Sequence, residues 1–325
     1  MPLTLLLTSA GRRVELLGCF RESARRLGIQ IRVLAADMLP QLSAACQMAD
    51  ESFEVPACHR PDYPIRLLEI CGKHGVDVLV PTIDTELQVL ADSRAQFQIA
   101  GTQVMISTPE VVGLARNKIA TSNFLDSQGI PVPRTLAIKD FEPSDPSWRW
   151  PAILKPVDGS CSKGVIKVDR ESDWREEYRH RINYLIQEFW EGAEYTVNLF
   201  FDRDGCLRSA VPHRRLEVRA GEVSKGRTER VGSLMDIADR FGRILTGARG
   251  ALCFQAILRP SGEAAVFEIN ARFGGGYPLA HAAGGRFTQW LLEEAQGMEC
   301  TANQEWQEGL VMLRYDAALF KSTPL

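Results

Sequence analysis

At 325 residues, 45% apolar and 24% charged, the chain has the length for two domains and the balance of a globular protein rather than a disordered one. Its formal net charge of -3 argues against the basic surface that a nucleic acid or an anionic membrane requires. The eight cysteines are scattered without a CxxC pair, which argues against a zinc ribbon or a disulfide framework and fits reduced thiols in a cytoplasmic protein.

The opening MPLTLLLTSAGRR is apolar for too few residues to span a bilayer and has no basic leader, so it reads as a first buried strand with no export implied. A turn at Ser9-Ala10-Gly11 leads into an amphipathic helix through Val14, Leu16, Leu17, Phe20, Ala24 and Leu27. IQIRVLAADM predicts a second strand ending in Asp37, and VDVLVPTIDTELQVLADSRAQF a third, with a turn at Pro81 and a helix. Strand and helix in alternation imply a parallel sheet covered on both faces. Ligands of such a sheet gather at the carboxyl ends of its strands: Ser9 to Arg13, Asp37, and Thr82 to Glu86. TSAGRR has one glycine where the dinucleotide fingerprint needs three, so no NAD site is expected.

From about residue 110 the texture changes. EVVGLARNKIATSNFLDSQGIPVPRT reads as one helix ended by Gly129 and two prolines, and KDFEPSDPSWRWP as a surface connection. WPAILKPVDGSCSKGVIKV predicts strand, glycine-rich loop, strand: a hairpin flap. Further strands follow, with hairpin turns at Asp204-Gly205 and Ser261-Gly262 and a helix around MDIADRFGRILTGA between them. This half is mixed α+β with antiparallel sheets.

In the flap, Lys155 sits at a strand end ahead of Gly159 and Gly164, where backbone amides and an ammonium can meet phosphates; a solvated hairpin is the alternative. IQEFWEGAEYTV offers a strand-to-loop connection for a nucleotide base, with a carboxylate for a ribose diol. Its rival is Phe189 and Trp190 as core beside a solvated edge at Glu191 and Glu194. FEINARFGGG puts Glu268, Asn270 and Arg272 at alternate positions, hence on one face of a strand. Gln255 faces Glu268 across the hairpin. Three such oxygens suit magnesium, which keeps waters and phosphates in its shell, and Arg272 can neutralise a transferring phosphoryl group. The alternative is a polar surface hairpin, which the glycine triplet makes less comfortable. The histidines lack a ligand spacing and GxSxG is absent, so a hydrolase nucleophile is not supported.

In this order, RNKIATSNFLDSQGIPVPRT, PAILKPVDGSCSKGV, IQEFWEGAEYTV, CFQAIL and FEINARFGGG resemble the ATP-grasp superfamily. EVRAGEVSKG, NARFGGGYPLAHAAGG and MLRYDAALF are similar to its carbamoyl-phosphate-synthase-like group. The resemblance implies a Rossmann-like pre-ATP-grasp domain over residues 1–110, a subdomain carrying the flap over 111–187 and a metal-bearing subdomain over 188–325. It implies ATP bound by Lys118 and Lys155, with the flap residues Gly159, Ser160, Ser162 and Gly164 against the phosphates. Glu188, with backbone of Phe189 and Trp190, would meet adenine, and Glu194 the ribose. Gln255, Glu268 and Asn270 match the magnesium positions, with manganese as an alternative cation; the amide at Gln255, where many members carry a carboxylate, puts a second metal in doubt. Arg272 matches the arginine facing the phosphorylated intermediate. Lys225, with Arg215 upstream, is a candidate for the γ-phosphate or the substrate carboxylate, against a solvated loop; Lys163 is a further phosphate candidate. Arg12, Asp84 and Glu86 are candidates for acceptor recognition, against helix caps.

The implied chemistry is phosphorylation of a small-molecule carboxylate and attack of an amine on the acyl phosphate. An ATP-binding sensor without turnover, or a kinase that stops at a phosphorylated product, are the alternatives. Members are often dimers, so a homodimer is one expected assembly.

Overall fold

The computed structural model describes residues 2–159 and 163–321. The first sheet contains β1 (Leu3–Thr8), β2 (Ile31–Asp37), β3 (Glu51–Glu54), β4 (Val78–Pro81) and β5 (Gln103–Val104), joined through α1 (Val14–Leu27), α2 (Ala44–Met48), α3 (Tyr63–His74), α4 (Asp84–Asp92) and α5 (Arg94–Ile99). All its pairings are parallel, in the order β3-β2-β1-β4-β5. The central β1, LTLLLT, is buried at every position, as a strand with covered faces must be. Alternation splits it between two cores: Leu5 and Leu7 pack with Leu16, Leu17 and Phe20 of α1, whereas Leu6 packs with Leu67 of α3 and Leu87 of α4. The strand order reverses between β1 and β4, so their carboxyl ends open a crevice.

The helix predicted after residue 110 is two helices, α6 (Pro109–Arg116) and α7 (Lys118–Ser127). Asn117 leaves helical geometry at φ -103° and ψ 103°, and its side chain accepts hydrogen bonds from the N–H groups of Ile119 and Ala120. An asparagine competes for backbone donors in this way and starts a helix rather than continuing one. The break makes Lys118 the first residue of α7.

A second sheet, ordered β6-β9-β7-β8, comprises β6 (Thr135–Ala137), β7 (Ala152–Pro156), β8 (Ile166–Val168) and β9 (Tyr184–Glu188), all antiparallel. Its β7–β8 hairpin carries the glycine-rich loop, of which Ser160 and Ser162 lie outside the described residues. The third sheet contains β10 (Ala193–Phe201), β11 (Leu207–Arg219), β12 (Glu222–Thr228), β13 (Gly250–Leu258), β14 (Ala264–Asn270) and β15 (Val311–Leu313), ordered β14-β13-β10-β11-β12-β15. The helices of this part among the described residues are α8 (Gly232–Ile244), α9 (Tyr277–Ala283) and α10 (Phe287–Ala295). Phe287, Trp290 and Leu291 of α10 share a core with β1 and α1, so α10 packs on the first strand and helix. The architecture is the expected combination of α/β and α+β. No helix among the described residues is long and apolar enough to cross a membrane.

Candidate active site

Alternation along β14 puts Glu268 and Asn270 on one face, and both line a cleft of about 500 Å³ where the three sheets meet. Volumes of this order hold small-molecule ligands. Gln255 stands opposite Glu268 in the β13–β14 register, and Thr196 of β10 opposite Gln255. Arg272 follows in the same row. Its Nη2 donates to Asn270 Oδ1 at 3.0 Å and to Asp84 Oδ2 at 2.7 Å, and its Nη1 donates to the carbonyl of Phe273 at 3.0 Å. Burial alone would lower the Arg272 pKa, but Asp84 outweighs it and holds the guanidinium charged, above its ordinary value. Burial likewise would raise the Asp84 carboxyl, and Arg272 pulls it below the usual range.

No three His, Cys, Asp or Glu side chains converge as a metal cluster among the described residues. The donor set in the row is one carboxylate, Glu268, with the amide oxygens of Asn270 and Gln255. Oxygen donors that leave most of the shell to water and phosphate fit a hard cation such as magnesium.

Two lysines face this row. Lys118 Nζ, at the start of α7, lies 3.4 Å from Glu268 Oε1 and donates to the carbonyl of Gly159 at 2.6 Å, tying the helix to the flap loop. Lys155 Nζ donates to Gln187 Oε1 at 2.9 Å and lies 5.2 Å from the centre of the Phe267 ring. Burial pushes its pKa down to about 8, with Lys118 adding to the effect against the attraction of Glu268 and Glu194. Gly159 and Lys163 also line the cleft, whereas Gly164, at φ 75°, turns the loop back toward β8.

At the other end of the row, Phe189 and Trp190 line the cleft where β9 gives way to β10. Arg259 stacks over Trp190 at 3.5 Å, and Lys167 lies 5.0 Å over Phe189. Glu188 lines the cleft too, but its carboxylate accepts from the Arg149 N–H at 3.3 Å. The side chain at this level that shares a face with Ile153 and Lys155 is Gln187, a residue that spacing in the sequence does not single out. Gln187 donates onward to Thr135 Oγ1 at 2.7 Å. Glu194 Oε1 lies 3.3 Å from Arg215 Nε; burial raises its pKa against the pull of that arginine. Arg215 also donates to the Gly221 carbonyl at 3.0 Å and lines the cleft.

Lys225 does not join them. It is exposed, absent from the cleft wall, and its ammonium pairs with Glu217 at 2.7 Å. Irregular pairing on either side of Glu217 shifts the register of β11 against β12 at this point. Two of the acceptor candidates are also displaced. Glu86 is wholly buried and accepts from Ser9, Tyr63 and the N–H groups of Thr82 and Ile83, which makes it the brace of the α4 N-terminus. Arg12 is exposed and outside the cleft; its neighbour Arg13 lines it. Arg13 Nη2 donates to the Thr82 carbonyl at 3.2 Å, and Nη1 lies 3.6 Å from Glu222 Oε1.

Gly274, Gly275 and Gly276 close this end of the cleft. A Cβ on Gly276 would stand 2.6 Å from His213 Nε2 and 2.7 Å from Val223 Cγ1, so only glycine fits. His213 is fully buried, and burial pushes its pKa down to about 3. Arg314, arriving from β15, donates to the Gly275 carbonyl at 2.7 Å, to Glu15 at 2.7 Å and to Glu222 at 3.2 Å.

Two family models match the chain: a PylC-like N-terminal domain over residues 5–105 and an ATP-grasp domain over residues 115–276. Among curated relatives, a D-alanine–D-alanine ligase of Marinomonas sp. is 28% identical over 120 residues, covering 34% of this chain and 38% of the relative. A carbamoyl-phosphate synthase of Methanobrevibacter smithii is 26% identical over 136 residues, covering 40% and 37%. The chain thus spans less than half the length of these relatives. Among solved structures, the biotin carboxylase domain of a Hydrogenobacter thermophilus 2-oxoglutarate carboxylase, crystallised with MgADP and bicarbonate, superposes with a TM-score of 0.71 at 15% identity, over 96% of this chain and 74% of that one. An L-amino acid ligase of Bacillus licheniformis superposes with a TM-score of 0.67 at 17% identity, over 93% and 75%. At these identities the structures share the fold.

Proposed function

We propose, from the premise that residues 115–276 are an ATP-grasp domain, that the chain is an ATP- and magnesium-dependent ligase joining a small-molecule carboxylate to an amine. What carries the reading is the meeting of Lys118, Lys155, Glu268, Asn270 and Arg272 in one cleft, from segments that only the fold brings together. In the proposed units, residues 1–110 close one side of the cleft, and 111–187 and 188–325 clasp the nucleotide.

The chemistry needs positioning and charge neutralisation rather than a protein nucleophile. A substrate carboxylate oxygen bonds to the γ-phosphorus of ATP as the bond to the β–γ bridging oxygen breaks, and ADP departs. The amine nitrogen then bonds to the acyl carbon, phosphate leaves with the C–O electron pair, and the nitrogen loses a proton. Lys118 and Lys155 offset phosphate charge, and Arg272, fixed by Asp84, faces the transferred group. Glu268, Asn270 and Gln255 would hold magnesium, which supplies further neutralisation of the phosphates. Phe189, Trp190 and Gln187 border the base, and Glu194 with Arg215 the sugar. The flap can exclude water from a hydrolysable intermediate. A homodimer is the proposed assembly.

The test is ADP release with ATP, magnesium and paired carboxylates and amines. Release with a matching pair, and amide formed in equal amount, supports the ligase. Phosphorylated product without amide supports a kinase, ATP binding with no turnover across the panel supports a sensor, and failure of the folded protein to bind ATP with magnesium overturns the reading.

A further inference from the structure

The end of the cleft away from Phe189 and Trp190 is walled by opposite charges, and those charges differ in how far the protein has already used them. Arg272 is committed: its three hydrogen bonds run to Asp84, Asn270 and the Phe273 carbonyl. Lys118 and Lys155 are likewise engaged, by Gly159 and Gln187. Arg13 is not. Among the described residues it makes one hydrogen bond, to the Thr82 carbonyl, its approach to Glu222 is a loose 3.6 Å, and 18% of its side chain is open. A guanidinium brought this far out of water, with N–H groups to spare, is suited to grip a carboxylate through two parallel hydrogen bonds.

Beside it, Glu222 has 29% of its side chain open and lines the same wall. Burial would raise its carboxyl, but Arg13 and Arg314 hold it below the ordinary range, so it stands as an anion. A ligand bearing only a carboxylate would meet Arg13 and be repelled by Glu222; one bearing only an ammonium would meet the reverse. A molecule with both groups on neighbouring carbons satisfies the two at once.

Resting on the ligase reading, we propose that Arg13 and Glu222 form the recognition site for an α-amino acid, Arg13 holding its carboxylate and Glu222 its ammonium. The site belongs to the turn after β1 and the first residue of β12, so neither of the resident phosphate-binding lysines contributes to it.

The purified chain, with ATP and magnesium, is offered common α-amino acids of both hands, singly and in pairs, and two matched sets: the same skeletons without the amino group, and without the carboxylate. ADP release is expected with members of the first set and not with the others. Arg13→Ala should raise KM for the active amino acid at least about tenfold, as loss of a charged hydrogen-bonding partner does, with KM for ATP unchanged. Arg13→Lys, which keeps the charge and loses the fork, should fall between. Glu222→Gln should weaken the preference for the amino acid over its deaminated form, and Arg12→Ala, an exposed neighbour, should behave as the parent. ADP release driven by the deaminated acids alone, an Arg13→Ala variant with unchanged KM, or ATP binding with no response to any amino acid each overturns the proposal while leaving the nucleotide reading intact. Loss of ATP binding by the parent protein strikes at the ligase reading itself.

Discussion

Asp84 and Arg272 meet at 2.7 Å across 188 residues of chain, the first opening helix α4 beside the N-terminal sheet and the second following the β14 row. Each side chain is 13% exposed. Asp84→Asn preserves the shape and strands the guanidinium without its counter-ion, a change that costs about 3 kcal/mol in buried pairs. Urea unfolding should show a loss of that order, and kcat should fall with it because Arg272 is no longer fixed. The pH dependence follows from the depressed Asp84 carboxyl: its stabilisation is present above the unfolded value, about 3.9, and is lost as pH falls through the lower folded value. Parent and variant should therefore converge in acid.

Lys155 supplies a second pH test. Its folded pKa of about 8 lies below the unfolded value of about 10.4, so between the two the unfolded chain binds the extra proton and stability rises with pH. Lys155→Met should remove that rise from thermal unfolding measured across the interval without ligand. ATP affinity, followed by calorimetry, should weaken as pH climbs through about 8, because the neutral amine no longer offsets phosphate charge.

Gln255→Glu places a carboxylate opposite Glu268 in the strand register. Without divalent ions, like charges directly opposed should destabilise by up to about 1 kcal/mol. Magnesium should reverse the sign, giving the variant a larger magnesium-dependent rise in melting temperature than the parent. A variant indifferent to magnesium would remove this pair from the metal site.

Gly276→Ala drives a methyl group into buried His213 and Val223, and should cost about 1–3 kcal/mol in chemical unfolding. Gly18→Ala, in the middle of α1 with nothing within 4 Å, should instead stabilise by about 0.5–1 kcal/mol. Equal effects would mean that the crowding at Gly276 is relieved elsewhere.

Lys225→Ala removes an exposed pair with Glu217, and stability and turnover should each stay close to the parent, within about 0.5 kcal/mol for stability. A large drop in kcat would return Lys225 to the reacting centre.

The alternation of the β14 row was legible because a strand's period is two and the glycine triplet marks its end. The parallel sheet was legible for a different reason, in continuous apolar runs such as LTLLLT that alternate with helical spacing. Other features turn on geometry that residue spacing does not carry. Which of Arg12 and Arg13 enters the cleft depends on the turn after Ser9, itself at φ 49°. In β9, Leu185, Ile186 and Gln187 are all buried, so no apolar–polar alternation tells whether Gln187 or Glu188 faces Lys155. For Lys225 the sequence left the reacting end and a solvated loop both open, and its pairing with Glu217 depends on the irregular β11–β12 register, which spacing does not carry. The break at Asn117 was visible as a capping residue, yet the apolar spacing on both sides masked it.

Arg314 gives the molecule an order of assembly. It is made 299 residues after Glu15, yet it ties that residue, Glu222 and the glycine loop together. A nascent chain can lay down its first sheet and its lysine-bearing helix as they leave the ribosome, but the chamber acquires its last wall only when β15 arrives. During synthesis the tie between Glu15, Glu222 and the glycine loop is therefore made only after β15 has been added, and a product truncated ahead of Arg314 is left with that wall unfastened.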